Sequence, residues 1–289
     1  MKSVLPKYLA MRLGLAVLIA TAVLLSPGIA SEKMRSFTMQ PFDSTALEKS
    51  DITITVVFDN MSRNSDLETQ WGFACVIQGL GQTILFDTGC HGTTLLRNME
   101  KLGFDPKQIA MVFLSHSHWD HVGGLEAFLA VNPHVHVYLL DSFTDEFAKK
   151  FTQDGIAFTA ISEPSPILKG VHSTGTMGGA IREQSLIIRS PRGLVVITGC
   201  AHPGIVDIVK KARALLNEEV LLVLGGFHLR DLSVVQVQTI ISELKTLGVR
   251  YVAPSHCTGE EAIRLFETGY KDHFIASGAG QIFRIHDLE

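Results

Sequence analysis

The segment that most constrains this 289-residue chain is a run of metal-ligand side chains directly after a short apolar stretch. Three histidines and one aspartate fall within six residues, namely His116, His118, Asp120 and His121. The apolar stretch 109–114 predicts a strand, and Gly123-Gly124 precedes a predicted helix, so the run lies on a loop at the carboxyl end of a strand. Residues two apart in extended backbone point the same way, so His116 and His118 can bind one metal ion. Four ligands so close together fit two ions about 3.5–4 Å apart better than a single tetrahedral ion.

The rest of the chain has the composition of a folded protein with a full hydrophobic core. Hydrophobic residues make up 46% and charged residues 19% of the sequence, which excludes a disordered chain. The net charge of -4 gives no electrostatic basis for binding nucleic acid. No nucleic-acid partner is expected, the expected partner is a small-molecule substrate, and the oligomeric state stays open.

Strand and helix patterns alternate from residue 51 onward. A β-branched run over 52–58 predicts a strand, and hairpins are predicted over 74–86 and 185–198. Further strands are predicted over 109–114, 135–140, 220–224 and 251–253, and helices over 124–131, 141–151, 205–216 and 234–247. Hairpins mixed with αβ units predict sheets covered by helices, not a purely parallel doubly wound sheet.

The N-terminal segment has the pattern of an export signal. Residues 1–30 combine three basic residues, an apolar run over 13–25 and a small-residue stretch over 26–30, which predicts a signal peptide. The apolar run is shorter than the roughly 20 residues that cross a bilayer as a helix, so no stable membrane insertion is expected after cleavage. An uncleaved anchor is the alternative. The prediction is a periplasmic or secreted protein with a leader or linker over 31–50 and one domain over 51–289.

The histidine-rich run resembles the signature of the metallo-β-lactamase superfamily, and three further matching blocks occur in the right order along the chain. They are 84–89 with Asp87, 199–204 with His202, and 254–257 with His256. The resemblance implies an α/β fold, an αββα four-layer sandwich in which two mixed sheets are flanked by helices, with metals at one edge. It also implies that Asp87 supports the site without binding metal, which suits a partner that orients a ligand histidine.

One block departs from the usual pattern of the superfamily. Where a strand normally ends in an aspartate that bridges both metals, this sequence has Gly225-Gly226-Phe227-His228-Leu229. An imidazole does not bridge two cations as a carboxylate does, so the second metal is expected to bind more weakly. The pairing of this block with 199–204 is similar to the branch named for dihydropterin-ribofuranosylaminobenzene phosphate synthase, which also contains hydrolases of unknown substrate. Glu183-Gln184-Ser185-Leu186 and Asp59-Asn60 fit that branch as well.

The resemblance implies two ligand sets and a hydrolytic reaction. His116, His118 and His202 would hold the first ion, and Asp120, His121 and His256 the second. The histidine-rich set favours zinc, two ions per chain, with iron or manganese as alternatives. A metal-activated water would attack an ester, lactone, amide or phosphoester, with Asp120 and His228 as the predicted catalytic residues.

Two other functions stay open at this point. One is the pterin-related synthase or transferase reaction of the resembled branch, although an exported protein would rarely meet such cytoplasmic intermediates. The other is a metal-binding or sensing protein without catalysis, which the missing bridging carboxylate supports and the complete histidine-rich run opposes.

Several neighbouring residues have competing interpretations. Cys200 is a soft metal ligand, a disulfide partner of Cys257 or a small buried residue, and the last two are favoured together. His172 is a rival to His202 as a ligand of the first ion. The glycine-rich stretch 175–179 lacks phosphate-loop spacing and predicts a mobile loop.

Overall fold

A computed structural model describes residues 51–143 and 145–288 of the chain. The predicted signal peptide over 1–30 and leader over 31–50 lie outside the described residues, so both stay predictions. Within the described part, no helix has the length and apolar composition needed to cross a membrane.

The described residues form two mixed β-sheets. The first sheet has the strand order β13-β1-β2-β3-β4-β5-β6, made of β1 (Thr53–Asp59), β2 (Phe73–Gln78), β3 (Ile84–Phe86), β4 (Met111–Phe113), β5 (His136–Leu140), β6 (Phe158–Ile161) and β13 (Ile282–Arg284). The second has the order β12-β11-β10-β9-β8-β7, made of β7 (Ser165–Leu168), β8 (Val171–Ser173), β9 (Leu186–Ser190), β10 (Gly193–Thr198), β11 (Val220–Gly226) and β12 (Tyr251–Ser255).

Seven α-helices of the described chain cover the outer faces of these sheets. They are α1 (Gly92–Lys101), α2 (Trp119–Val122), α3 (Leu125–Val131), α4 (Asp145–Asp154), α5 (Ile205–Leu216), α6 (Val234–Thr246) and α7 (Glu260–Tyr270). One buried cluster joins the facing sheets, as Ile54 and Phe86 of the first pack with Ile188 and Val195 of the second. Two other clusters lie between each sheet and its helices. The αββα four-layer sandwich is therefore confirmed.

Strand direction brings the predicted site residues to one edge. Strands β3 and β4 are parallel, and β10, β11 and β12 are parallel in the other sheet. Parallel strands end at the same edge of their sheet, so the loops that follow them meet there. All seven residues of β11 are buried, which explains its continuous apolar sequence.

The observed elements agree with most of the predicted ones. The helix α5 has the predicted bounds, whereas the helix predicted over 124–131 is preceded by the separate short helix α2. The sequence did not predict α1, α7, β6, β7, β8 or β13. All four of those strands have only three or four residues and carry a weak pattern.

Two glycines allow the histidine-rich run to pack closely on the loop after β3. A Cβ atom on Gly123 would lie 2.4 Å from the Cys90 carbonyl oxygen, and one on Gly124 would lie 2.2 Å from that of Thr88. The Thr88 amide and hydroxyl both donate to the His121 carbonyl oxygen at 2.8 Å. The glycines therefore fix the distance between the run and the neighbouring strand.

Replacing Gly124 with alanine is expected to lower the free energy of unfolding by about 1–3 kcal/mol, because the new Cβ meets a backbone oxygen that cannot rotate away. Urea denaturation followed by circular dichroism measures this change. Gly179→Ala is the matched control, since a Cβ there has no atom within 4 Å. Equal losses in the two variants would contradict the close packing described here.

Candidate metal centre

Three histidines from two loops form the first group of ligand atoms. Their ring centroids lie 4.6 Å apart for His116 and His118, 4.7 Å for His116 and His202, and 4.8 Å for His118 and His202. One ligand atom from each lies within 4.8 Å of the others. The structure thus brings together the set predicted for the first ion.

A second group is fully buried and contains the other predicted ligands. Asp120, His121 and His256 place their ligand atoms within 4.8 Å of one another, and Cys200 belongs to the same group. Oδ2 of Asp120 lies 3.2 Å from Nε2 of His256 and 3.7 Å from Nε2 of His121. The His116 and His121 rings are 4.2 Å apart, so the two groups are neighbours.

Four of these histidines have a fixed orientation because each Nδ1 atom has a partner. Nδ1 of His116 lies 2.9 Å from the Ser115 hydroxyl, and Nδ1 of His121 lies 2.7 Å from Asp87. The corresponding partners of His202 and His256 are Glu183 at 2.8 Å and Asn60 at 2.9 Å. With Nδ1 engaged, Nε2 remains to bind a cation, which is the usual arrangement at protein metal sites.

Buried Nε2 atoms show where a cation would complete the site. Nε2 of His116 and Nε2 of His256 are buried and have no hydrogen-bond partner. Burial lowers the pKa of His116 to about 3 and also lowers that of His121 to about 3. Both rings are therefore neutral at pH 7, with a lone pair free for a metal ion. The donor set fits zinc.

Asp120 carries the negative charge of the second group. Burial by itself would raise the pKa of this carboxyl, but the His256 ring, 3.2 Å away, and the nearby His121 hold the pKa well below its usual range. Burial lowers the pKa of His256, but the adjacent Asp120 carboxylate outweighs that effect and raises it. The group therefore holds a carboxylate at neutral pH.

Asp87 contacts the second group through Nδ1 of His121. It lies just after β3 with a φ of 54°, and its Oδ1 accepts the Ser115 amide at 2.7 Å. Its Oδ2 accepts the Ser115 hydroxyl at 2.7 Å and lies at the same distance from Nδ1 of His121. Asp87 thus orients His121 and belongs to neither ligand group.

Glu183 has a larger role than the sequence indicated. Its Oε1 accepts the amides of Gly199, Cys200 and Ala201 at 3.1, 2.9 and 2.9 Å, and its Oε2 accepts the His202 amide at 2.9 Å. Burial raises the pKa of this carboxyl, but the hydrogen bond with the His202 ring, the nearby His116 and the His202 amide outweigh that effect and hold the pKa well below its usual range. From the sequence, the block 183–186 was recognisable only through its similarity to one branch of the superfamily. Contacts between residues 16 to 19 positions apart leave no local pattern.

His228 lies on the solvent side of the first group. Its backbone has a φ of 55°, its side chain is exposed, and its ring is 4.5 Å from that of His202. A hydrogen bond with Cys257 raises its pKa, although burial works in the opposite direction. Its ligand atom groups with Cys200 and His202, not with Asp120.

Two alternative predictions fail in the structure. All four cysteines are free thiols, so the disulfide between Cys200 and Cys257 is wrong, whereas the burial of Cys200 is confirmed. His172 is buried in β8 and belongs to none of the ligand groups found among residues 51–143 and 145–288. The third histidine of the first group is therefore His202.

An aromatic and cationic rim borders the second group. The Trp71 ring is 4.8 Å from that of His256, and the Arg230 guanidinium carbon lies 4.3 Å from the centroid of the Trp71 ring. Trp119 is 63% exposed. A cavity of about 320 Å³ lies beside the first group, with His202, His228 and Leu232 among its lining residues.

Comparison with known proteins finds a matching family model, related sequences and a similar solved structure. A model of the metallo-beta-lactamase superfamily matches residues 72–256. The chain is 30% identical over 279 residues to 7,8-dihydropterin-6-methyl-4-(beta-D-ribofuranosyl)-aminobenzene-5'-phosphate synthase of Methanocaldococcus jannaschii, covering 80% of this chain and 95% of that protein. Uncharacterized protein MJ0448 of the same organism is 28% identical over 267 residues, which are 80% of this chain and 100% of that protein. The crystal structure of Tm1679, a metal-dependent hydrolase of the beta-lactamase superfamily, has a TM-score of 0.69 at 28% identity and covers 81% of this chain and 99% of that chain.

Replacing Glu183 with glutamine is expected to lower the free energy of unfolding of the metal-free protein by about 2–4 kcal/mol. The amide offers one acceptor oxygen instead of two, and its NH₂ group faces backbone N–H donors. Urea denaturation in the presence of a chelator measures the loss. Glu163→Gln, at an exposed position, is the control, and an unchanged midpoint for Glu183→Gln would contradict this role.

Proposed function

The chain belongs to the metallo-beta-lactamase superfamily, as its motifs predicted, and on that premise we propose that it is a metal-dependent hydrolase with two zinc ions. The observation that carries the proposal is the convergence of Nε2 atoms whose Nδ1 atoms are already engaged. His116, His118 and His202 would hold one ion, and Asp120, His121 and His256 the other. A small-molecule substrate and export of the protein are part of the same proposal.

The chain's own residues would position the substrate and move protons. Zinc bound at these groups would lower the pKa of a water molecule toward neutrality and stabilise negative charge on the substrate. Asp120 is 6% exposed, and its carboxylate would accept a hydrogen bond that orients the attacking water. His228 is exposed beside His202 and would donate a proton to a leaving group.

The rim favours a substrate with negative charge and an apolar portion. Arg230 stacks on Trp71, and no carboxylate among the described residues forms an ion pair with it. A guanidinium held in this way can bind a carboxylate or phosphate group through paired hydrogen bonds. The proposed substrates are therefore anionic esters, lactones or phosphoesters, with amides as a further class.

A synthase reaction is the second candidate because of the M. jannaschii relative. That protein is named as a synthase acting on a pterin compound, and the match covers 95% of its length at 30% identity. The predicted export signal opposes this function, because such substrates are made inside cells. A third candidate, metal binding without catalysis, is opposed by the complete set of histidines around Asp120.

Replacing His116 with alanine is expected to remove bound zinc and to lower turnover by about 100-fold or more, because a direct ligand of the first ion is lost. Zinc per chain is measured by mass spectrometry, and turnover on a panel of esters, lactones, phosphodiesters and β-lactams. His134→Ala, at an exposed position, is the control. A His116→Ala protein that keeps both zinc and activity would contradict the proposal, and turnover of the pterin substrate pair alone would favour the synthase.

Replacing Arg230 with alanine is expected to raise KM about tenfold for an anionic ester and to leave KM for its neutral analogue unchanged, since one charged contact is lost. Steady-state kinetics on the matched pair of esters measures this difference. Arg264→Ala removes an exposed arginine on α7 and serves as the control. Equal changes for both esters would exclude Arg230 as the anion-binding group.

A further inference from the structure

We propose that the thiolate of Cys200 is a ligand of the second metal ion and takes the place of the missing bridging carboxylate. This inference rests on the proposed metal-dependent function, and it adds a ligand that the family pattern did not predict. It also explains how the second ion can be bound although no acidic residue stands at the end of β11, where the sequence is Gly225-Gly226-Phe227-His228.

The position of the sulfur supports this assignment. Cys200 is 4% exposed and lies on the loop after β10, and its Sγ atom is 3.2 Å from Nε2 of His121. Sγ lies within 4.8 Å of the ligand atoms of Asp120, His121 and His256. Nε2 of His256 is buried without a hydrogen-bond partner, so the group also contains an unpartnered ligand atom.

Cys200 also faces the first group. Its Sγ forms a second set with the ligand atoms of His202 and His228, again within 4.8 Å. Among the described residues, Cys200 is the one member of the second group that also belongs to another set, and it shares that set with His202 of the first group. The sulfur therefore lies within 4.8 Å of ligand atoms of both groups, whereas His228 shares a set with no residue of the second group except Cys200.

The backbone holds Cys200 in this position. Its amide donates to Oε1 of Glu183 at 2.9 Å, and its carbonyl oxygen accepts the Cys257 thiol at 3.7 Å. On the preceding residue, a Cβ atom on Gly199 would lie 2.1 Å from the Ser115 hydroxyl, so no larger residue fits. The loop therefore cannot shift easily to remove the sulfur from the group.

The charges of the four proposed ligands of the second ion match a divalent cation. When the sulfur–metal bond forms, the thiol releases its proton to solvent, and the thiolate and the Asp120 carboxylate together neutralise a 2+ charge. Two imidazoles complete four protein ligands, the number that zinc usually takes at closed sites. The first group has three histidines and keeps a position for water or substrate. A thiolate also favours zinc or cobalt over manganese.

Cobalt loading of the full-length protein tests the proposal through a signal that does not depend on activity. Wild type with two Co(II) ions per chain is expected to show a strong near-ultraviolet band from thiolate-to-cobalt charge transfer. Cys200→Ser and Cys200→Ala are expected to lose this band and to bind the second ion about 100-fold or more weakly in chelator competition, a larger loss than outer partners cause. Cys257→Ala and Cys90→Ala are the matched controls and should keep the band.

The outcomes separate this inference from the proposed function. A wild type that binds two cobalt ions without the band would overturn the role of Cys200 and leave the hydrolase proposal standing. Loss of the band in Cys257→Ala with its retention in Cys200→Ser would also overturn it. A wild type that binds no cobalt or zinc would overturn both. The serine variant preserves side-chain size, so a folded Cys200→Ser protein keeps the test valid if the alanine variant fails to fold.

Discussion

The centre depends on hydrogen bonds that fix the Nδ1 atoms of its histidines. Each of four histidine rings has one Nδ1 partner, and these partners are Ser115, Asp87, Glu183 and Asn60. Without these partners the rings could rotate and the Nε2 atoms would not converge. Two of these partners are themselves held by backbone amides, since Asp87 accepts the Ser115 amide and Glu183 accepts the Cys200 amide.

The same contacts join the two halves of the sandwich. Asp87 follows a strand of the first sheet, whereas Glu183 precedes β9 of the second and holds the loop after β10. Between them, the Gln184 amide donates to the Ser115 carbonyl oxygen at 2.9 Å, and the Gln184 side chain donates to that of Leu114 at 2.8 Å. A change at Glu183 is therefore expected to disturb stability and ligand geometry together.

Local sequence patterns predicted four of the six expected ligands, but not the residues that orient most of them. The spacing within a short run determines which side chains point in the same direction, and this made four ligands predictable, namely His116, His118, Asp120 and His121. His202 and His256 required the family resemblance, since they are distant in sequence. The contacts of Glu183 and Cys200 depend on how two sheets face each other, so neither could be derived from spacing. The short edge strands lacked enough residues to show a period.

The most direct test of the central claim is an anomalous difference map at the zinc absorption edge, from crystals of the protein purified without added metal. Two peaks about 3.5–4 Å apart are expected. One should lie among His116, His118 and His202, and the other among Asp120, His121, Cys200 and His256. No peak at either group, with zinc absent from the dissolved crystals, would contradict a zinc centre at these residues.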